Sequence, residues 1–347
     1  MISIAGRPIG AEHPPYVVAE LSGNHNGSLE RALDIVDAVA ASGAHALKLQ
    51  TYRPDTLTID ADGPAFRLGD DHTLWGGESL YRLFERAHTP WEWHAPIFDR
   101  ARDHGLAAFS SPFDPTAVEL LEKLGVPAYK IASSEIVDLP LIRLAAATGK
   151  PLIISTGMAS AGEIHAAVTA AREAGCTQLA VLSCTASYPA SPAESNLRAL
   201  PLLAALTGEV VGISDHTPGL GAALAGVALG ACLIEKHVTR SRAEGGVDAA
   251  FSLEPAELAA LVVESERAWQ SLGSAVIGPR ASEREGLRFR RSLYVVRDVR
   301  AGEPVTADNV RSIRPAGGLP PDAAREVMGR SFAKDVPFGT PLTWDLI

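Results

Sequence analysis

The sequence predicts an α/β protein: a (β/α)8 TIM barrel followed by a small β-rich domain at the C-terminus. Three observations carry this. Short apolar runs rich in β-branched residues alternate eight times with helix-period segments, the pattern of a parallel sheet with helical crossovers. Eight such units over about 250 residues is the arithmetic of a closed (β/α)8 barrel. After the last long helix the composition shifts to short β-runs, turn signals and prolines. An open doubly wound sheet is the structural rival. No G-x-G-x-x-G follows the first strand, which removes the commonest cofactor signature of that fold.

The strands are read, in order, at YVVAEL (from Tyr16), ALKLQTY (from Ala46), AAFSS (from Ala107) and AYKIASS (from Ala128). Four more follow at PLIISTG (from Pro151), LAVLSCT (from Leu179), VVGISDH (from Val210) and CLIEKHV (from Cys232). The first crossover runs from Ser28 to Gly43. It opens on a serine N-cap, carries Leu33, Val36 and Ala40 as its apolar positions, and stops on a glycine. Thr116 to Gly125 repeats that design. Residues 53 to 106 are too many for one helix. Their segment FRLGDDHTLWGGESLYRLFERAHTP reads as a loop insertion and helix over the barrel mouth. A helix after Glu254, PAELAALVVESERAWQSLG, ends the barrel domain at residues 1–275. A polar, basic connector at 276–291 leads to the second domain, 292–347.

Composition narrows the function. The net charge of −10 gives no reason to expect a nucleic-acid surface. An anionic substrate would need a local cluster of donors against that global sign. Cys176, Cys184 and Cys232 are widely spaced in apolar runs, which fits a reducing compartment rather than a disulfide framework. No basic n-region with a long apolar stretch opens the chain, and no window of 18 apolar residues occurs. The expectation is a cytoplasmic protein without a membrane partner.

In a barrel of this kind the active site forms where strands end and βα loops begin. Every predicted strand delivers polar groups there. The first ends at Glu20, the second at Lys48 and Gln50, the third at Ser110 and Ser111. The fourth brings Lys130, Ser133, Ser134 and Glu135, and the fifth Ser155 and Thr156. The sixth gives Thr185, Ser187 and Tyr188, the seventh Ser214, Asp215 and His216, and the eighth Glu235, Lys236 and His237. A purely structural barrel has no reason to collect them at one rim.

The rim divides in two. Lys48 and Lys130, with Ser111, Ser133 and Ser155, form a cationic, donor-rich half suited to phosphate and carboxylate oxygens. The rival reading pairs the lysines with Glu20 or Glu135 inside the barrel mouth, which is compatible with a binding role. His216 and His237 end neighbouring strands and suit a divalent ion such as Mn²⁺, with positions left for substrate and water. Glu20 and Glu235 could be ligands, orienting groups or a base. Ser214, Asp215 and His216 do not make a Ser-His-Asp relay, because adjacent strand residues face opposite ways and no G-x-S-x-G elbow is present.

The motifs AELSGNHNGS, ALKLQTY, FSSPFD, YKIASSE, ISTGM, SDHT, EKHVT and RPAGGLPPD together resemble the sialic acid synthases. The resemblance spans nearly the whole chain and includes a C-terminal antifreeze-like (SAF) domain. It implies an enzyme that condenses phosphoenolpyruvate with an N-acylated amino sugar, using a divalent ion (Mn²⁺ or Mg²⁺). By that resemblance His216 and His237 are the metal residues and Glu20 is the catalytic glutamate. Lys48, Lys130, Ser111, Ser133, Ser155 and Ser214 would bind phosphoenolpyruvate, and Tyr188 and Asp248 the sugar. Arg314 matches the SAF arginine that enters a partner subunit's site, which implies a domain-swapped homodimer. The neuraminate-forming members carry asparagine after CT, where CTASYP has Ala186. That departure, with SGNHNG shortly after Glu20, is similar to the pseudaminate-forming branch, whose sugar is 2,4-diacetamido-2,4,6-trideoxy-altrose. Neuraminate- and legionaminate-forming members are the alternative, with the same chemistry on another amino sugar.

Overall fold

The computed structural model describes residues 1–69 and 74–347. It divides into two compact units, Met1–Gly273 and Ser274–Ile347.

The first unit opens with a hairpin that the sequence reading did not anticipate. Strands β1 (Ile2–Ile4) and β2 (Arg7–Ile9) pair antiparallel. They turn on Ala5 and Gly6, both at positive φ (48° and 81°). Three-residue strands are too short to display an alternation, which is why they leave little periodic signal.

Eight parallel strands follow among the described residues: β3 (Tyr16–Glu20), β4 (Ala46–Thr51), β5 (Ala107–Pro112), β6 (Tyr129–Ile131), β7 (Leu152–Ser155), β8 (Leu179–Cys184), β9 (Val210–Ser214) and β10 (Leu233–His237). Each pairs with the next, and β10 closes on β3. The register decides what meets at the rim. His237 pairs with Glu20, Glu20 with Lys48, Gln50 with Ser111, and Glu235 with Ser214.

Helices α1 (Leu29–Ala41), α2 (Pro54–Leu57), α3 (Leu80–Ala87), α4 (Trp91–Asp103), α5 (Pro115–Leu124), α6 (Leu139–Ala146), α7 (Ala161–Glu173), α8 (Leu200–Thr207), α9 (Gly221–Ala228) and α10 (Pro255–Leu272) surround the strands. Ser28 caps α1 by accepting from Arg31 N at 3.2 Å. The buried face of α1 is Ala32, Ile35, Val36 and Val39, rotated from the expected Leu33–Val36–Ala40 stripe. Helix α5 starts one residue before the expected Thr116, because Asp114 accepts from the Thr116 and Ala117 amides. The 53–106 region supplies α2, α3 and α4; Asp70, Asp71, His72 and Thr73 of its quoted segment lie outside the described residues. No helix among the described residues is long and apolar enough to cross a membrane.

The second unit has its own core, centred on Leu293, Val295, Val299, Val310 and Phe332. Strands β11 (Ser292–Val295) and β12 (Val310–Ile313) pair antiparallel. Elsewhere the unit is held by single bridges such as Val299 with Val336 and Pro304 with Ser331.

Candidate active site

A cavity of about 210 Å³ opens where the barrel strands end. Glu20, Lys48, Ser111, Lys130 and Ser133 line it, as do Tyr188, Ser214, His216, His237 and Asp248. Two residues of the expected set are elsewhere. Ser155 is fully buried in β7 and does not border the cavity; its Oγ has no hydrogen-bond partner. Arg314 follows β12 in the second unit.

Strand alternation sorts the three charged residues of β10. Glu235 and His237 face the cavity. Lys236, between them, faces the other way and is fully buried, donating to Asp215 Oδ2 (2.9 Å) and to the Thr217 carbonyl (2.6 Å). Lys236 and Asp215 are thus a buried pair outside the cavity, not rim groups.

The cationic half is internally paired. Lys48 Nζ lies 2.9 Å from Glu20 Oε2 and 3.1 Å from Glu235 Oε1. Lys130 Nζ lies 3.3 Å from the same Glu235 oxygen, which also accepts from Ser214 Oγ at 2.9 Å. Gln50 Nε2 donates to Glu20 Oε1 at 2.7 Å. Burial alone would raise the Glu20 carboxyl, but the charges of Lys48, His237 and Lys130 hold it far below the usual carboxylate range. Burial likewise opposes charge on Glu235, and Lys130 and Lys48 overcome it, so it too is lowered. Burial also works against the charge on Lys130, yet Glu235 and Glu20 raise it. On Lys48 burial wins and the direction is down.

Glu135 behaves differently. It lines the cavity but makes no ion pair among the described residues, and its Oε2 is buried without a hydrogen-bond partner. Burial pushes it up to about 7, only partly countered by Lys130. The sequence lists it at a strand end, but nothing there separates a paired carboxylate from a desolvated one.

The other half is built on imidazoles. The rings of His216 and His237 lie 5.2 Å apart, centroid to centroid, at 64°. His216 Nδ1 meets the Thr185 carbonyl at 3.1 Å, so that nitrogen donates. His237 Nε2 lies 3.3 Å from Glu20 Oε2. Its Nδ1 is buried with no hydrogen-bond partner, 3.7 Å from Asp248 Oδ2. Ser22, at φ 49°, donates to that same Asp248 oxygen. Tyr188 and Phe251 pack on the two imidazoles, with Tyr188 4.5 Å from the His216 ring and Phe251 4.9 Å from the His237 ring.

An unpartnered, buried imidazole nitrogen is costly unless something binds it. In donor type the pair fits a borderline divalent ion. Among the described residues no three His, Cys, Asp or Glu side chains stand as a complete ligand set.

Comparison with known proteins places this geometry. The NeuB family model matches residues 35–277, and the SAF domain model matches residues 290–347. A pseudaminic acid synthase from Helicobacter pylori is 39% identical over 96% of this chain and 97% of its own. An N,N'-diacetyllegionaminic acid synthase from Legionella pneumophila is 32% identical over 98% and 97%. The crystal structure of an N-acetylneuraminic acid synthetase from Leptospira borgpetersenii, in complex with citrate, superimposes with a TM-score of 0.74 at 32% identity, covering 83% of this chain and 95% of that one. With a family match over most of the barrel and relatives aligned nearly end to end, the chain belongs to the NeuB family as an enzyme of the sialic acid synthase type.

Proposed function

We propose that this enzyme is a pseudaminic acid synthase, joining phosphoenolpyruvate to 2,4-diacetamido-2,4,6-trideoxy-altrose with release of phosphate. The observation that carries the reading is one cavity holding two buried lysines on one side and two buried imidazoles beside Glu20 on the other. The sugar rests on a narrower margin: 39% identity to the Helicobacter relative against 32% to the Legionella one, together with Ala186 after CT.

Lys48 and Lys130 hold the phosphate and carboxylate oxygens of phosphoenolpyruvate, and Ser111, Ser133 and Ser214 add hydroxyls. Ser155 is left out of this set because it does not reach the cavity. His216 and His237 are the residues that would hold Mn²⁺ or Mg²⁺. Bound there, the ion supplies Lewis-acid polarisation of the sugar aldehyde. Tyr188 and Asp248 position the sugar so that carbon 3 of phosphoenolpyruvate attacks its carbon 1. The resulting cationic carbon 2 takes up water, and phosphate leaves by C–O cleavage. Glu20, with one oxygen on Gln50 and the other on Lys48, orients the site and steadies positive charge. Glu135, near neutrality, is the better matched group for the water's proton. Arg314 completes the site from the partner's SAF domain in a swapped homodimer.

The test is phosphate release from phosphoenolpyruvate with a panel of amino sugars, with and without EDTA. The expected result is turnover that ranks the altrose derivative above N-acetylmannosamine, stops on chelation, and is lost in His216→Ala and His237→Ala with the fold retained. The reverse ranking refutes the sugar, and full activity of either variant refutes the metal residues. Full turnover by a monomer, or by Arg314→Ala, refutes the swapped dimer.

A further inference from the structure

The cavity has an apolar side that the roles above leave unassigned, supplied by the segment between β4 and β5 and the residue after β5. Tyr52, just past the end of β4, is clamped edge-on by Phe84 of α3 (centroids 5.9 Å apart, 77°) and by Phe113 (5.2 Å, 74°). Leu57, ending α2, and Leu83 of α3 border the same space. Side chains that only packed on one another would be sealed. Leu57, Phe84 and Phe113 are instead half-buried while lining the cavity.

Chain order sets the height of this wall. Lys48, Glu20 and Ser214 sit on the strands, at the floor. Tyr52, Leu57, Phe84 and Phe113 come after strand ends and stand above it. A sugar reacting at carbon 1 on the floor directs its far end, carbon 6, upward. We propose that the Tyr52–Phe84–Phe113 clamp, with Leu57 and Leu83, is the specificity surface for that end, and that it accepts a methyl-terminated, 6-deoxy amino sugar over its 6-hydroxy counterpart. This rests on the synthase reading above. A hydroxyl pressed on Leu57, Leu83, Phe84 or Phe113 would lose water without gaining a partner, whereas a methyl loses nothing by the move.

An apolar pocket rejects an added hydroxyl by no more than about 100-fold, so the wild-type enzyme is expected to favour the 6-deoxy sugar by about 10- to 100-fold in kcat/KM. The experiment measures kcat/KM for the 6-deoxy diacetamido sugar and its 6-hydroxy counterpart in the full-length wild type, Leu57→Ser and Phe84→Ser, with KM for phosphoenolpyruvate alongside. In the variants the preference should fall by about fivefold or more, the scale of a lost apolar contact, while KM for phosphoenolpyruvate stays unchanged. Equal use of both sugars by the wild type, or an undiminished preference in both variants, overturns the assignment while the synthase reading stands. No phosphate release with any amino sugar overturns both.

Discussion

Replacing Glu135 with Gln probes the electrostatics of the cavity through stability rather than turnover. Burial raises this carboxyl from the ordinary 4.5 to about 7. Between those values the unfolded chain has released the proton and the native chain keeps it. The unfolded state then binds fewer protons, so stability falls as pH rises through the window. At about 1.4 kcal/mol per pH unit, the native state loses about 3 kcal/mol across it. Gln cannot titrate and removes that loss. The assay is urea unfolding of both proteins at pH 5 and pH 8, followed by tryptophan fluorescence. Trp75, Trp91, Trp93 and Trp269 lie in the barrel unit and only Trp344 in the other, so the signal reports mainly the barrel. Between the two pH values the variant should gain about 2–3 kcal/mol on the wild type. Parallel pH dependence would show that Glu135 is solvated or paired in the native protein, and the argument for it as a proton carrier would go too.

Two further outcomes test the packing beneath the site. Glu235→Gln removes the negative charge that Lys48 and Lys130 share; leaving buried cations underpaired should cost about 3–5 kcal/mol in urea unfolding, and a midpoint equal to wild type would contradict the pairing. Gly212→Ala puts a Cβ 2.3 Å from the Leu233 carbonyl oxygen and 2.8 Å from Leu182 Cδ2, so β8 and β10 must shift. The expected loss is about 3 kcal/mol, and an unchanged thermal midpoint would mean that β9 sits further from its neighbours.

How far the site was legible follows from what period-2 alternation can carry. The eight strands announce themselves by apolar runs, and the barrel rule then selects their ends, so Glu20, Lys48, His216 and His237 could be named together. Alternation also contains the answer for Lys236, because it separates Glu235 from His237. Reading all three as rim groups ignores that parity. Ser155 shows the opposite limit: a residue can end a strand, be fully buried and not line the cavity. Partners are less legible still. Lys48 and Glu20 are 28 positions apart, Lys130 and Glu235 are 105 apart, and only the closed register brings them to 2.9 and 3.3 Å. The apolar wall was legible only in outline: the segment holding Leu83 and Phe84 reads as a loop insertion and helix over the barrel mouth, but the wall's five residues come from four separate stretches with no common period to show which side chains meet.

The paired state of the lysines shapes how an anion could bind. Lys48 and Lys130 do not wait as free cations: Glu20 and Glu235 already offset both charges. Phosphoenolpyruvate arriving there would compete with carboxylates for the same ammonium protons, so its affinity reflects the difference between two sets of charge-assisted hydrogen bonds rather than one set. A phosphate oxygen taking a hydrogen bond from Lys48 would draw it from Glu20, from Glu235 or from the longer contact to Ser111 at 3.5 Å. Glu135 is outside this exchange because it pairs with neither lysine. Two carboxylates whose surroundings push them in opposite directions suit different work in the proposed reaction: an ionised Glu20 to stabilise charge, and a Glu135 held up to about 7 to exchange a proton.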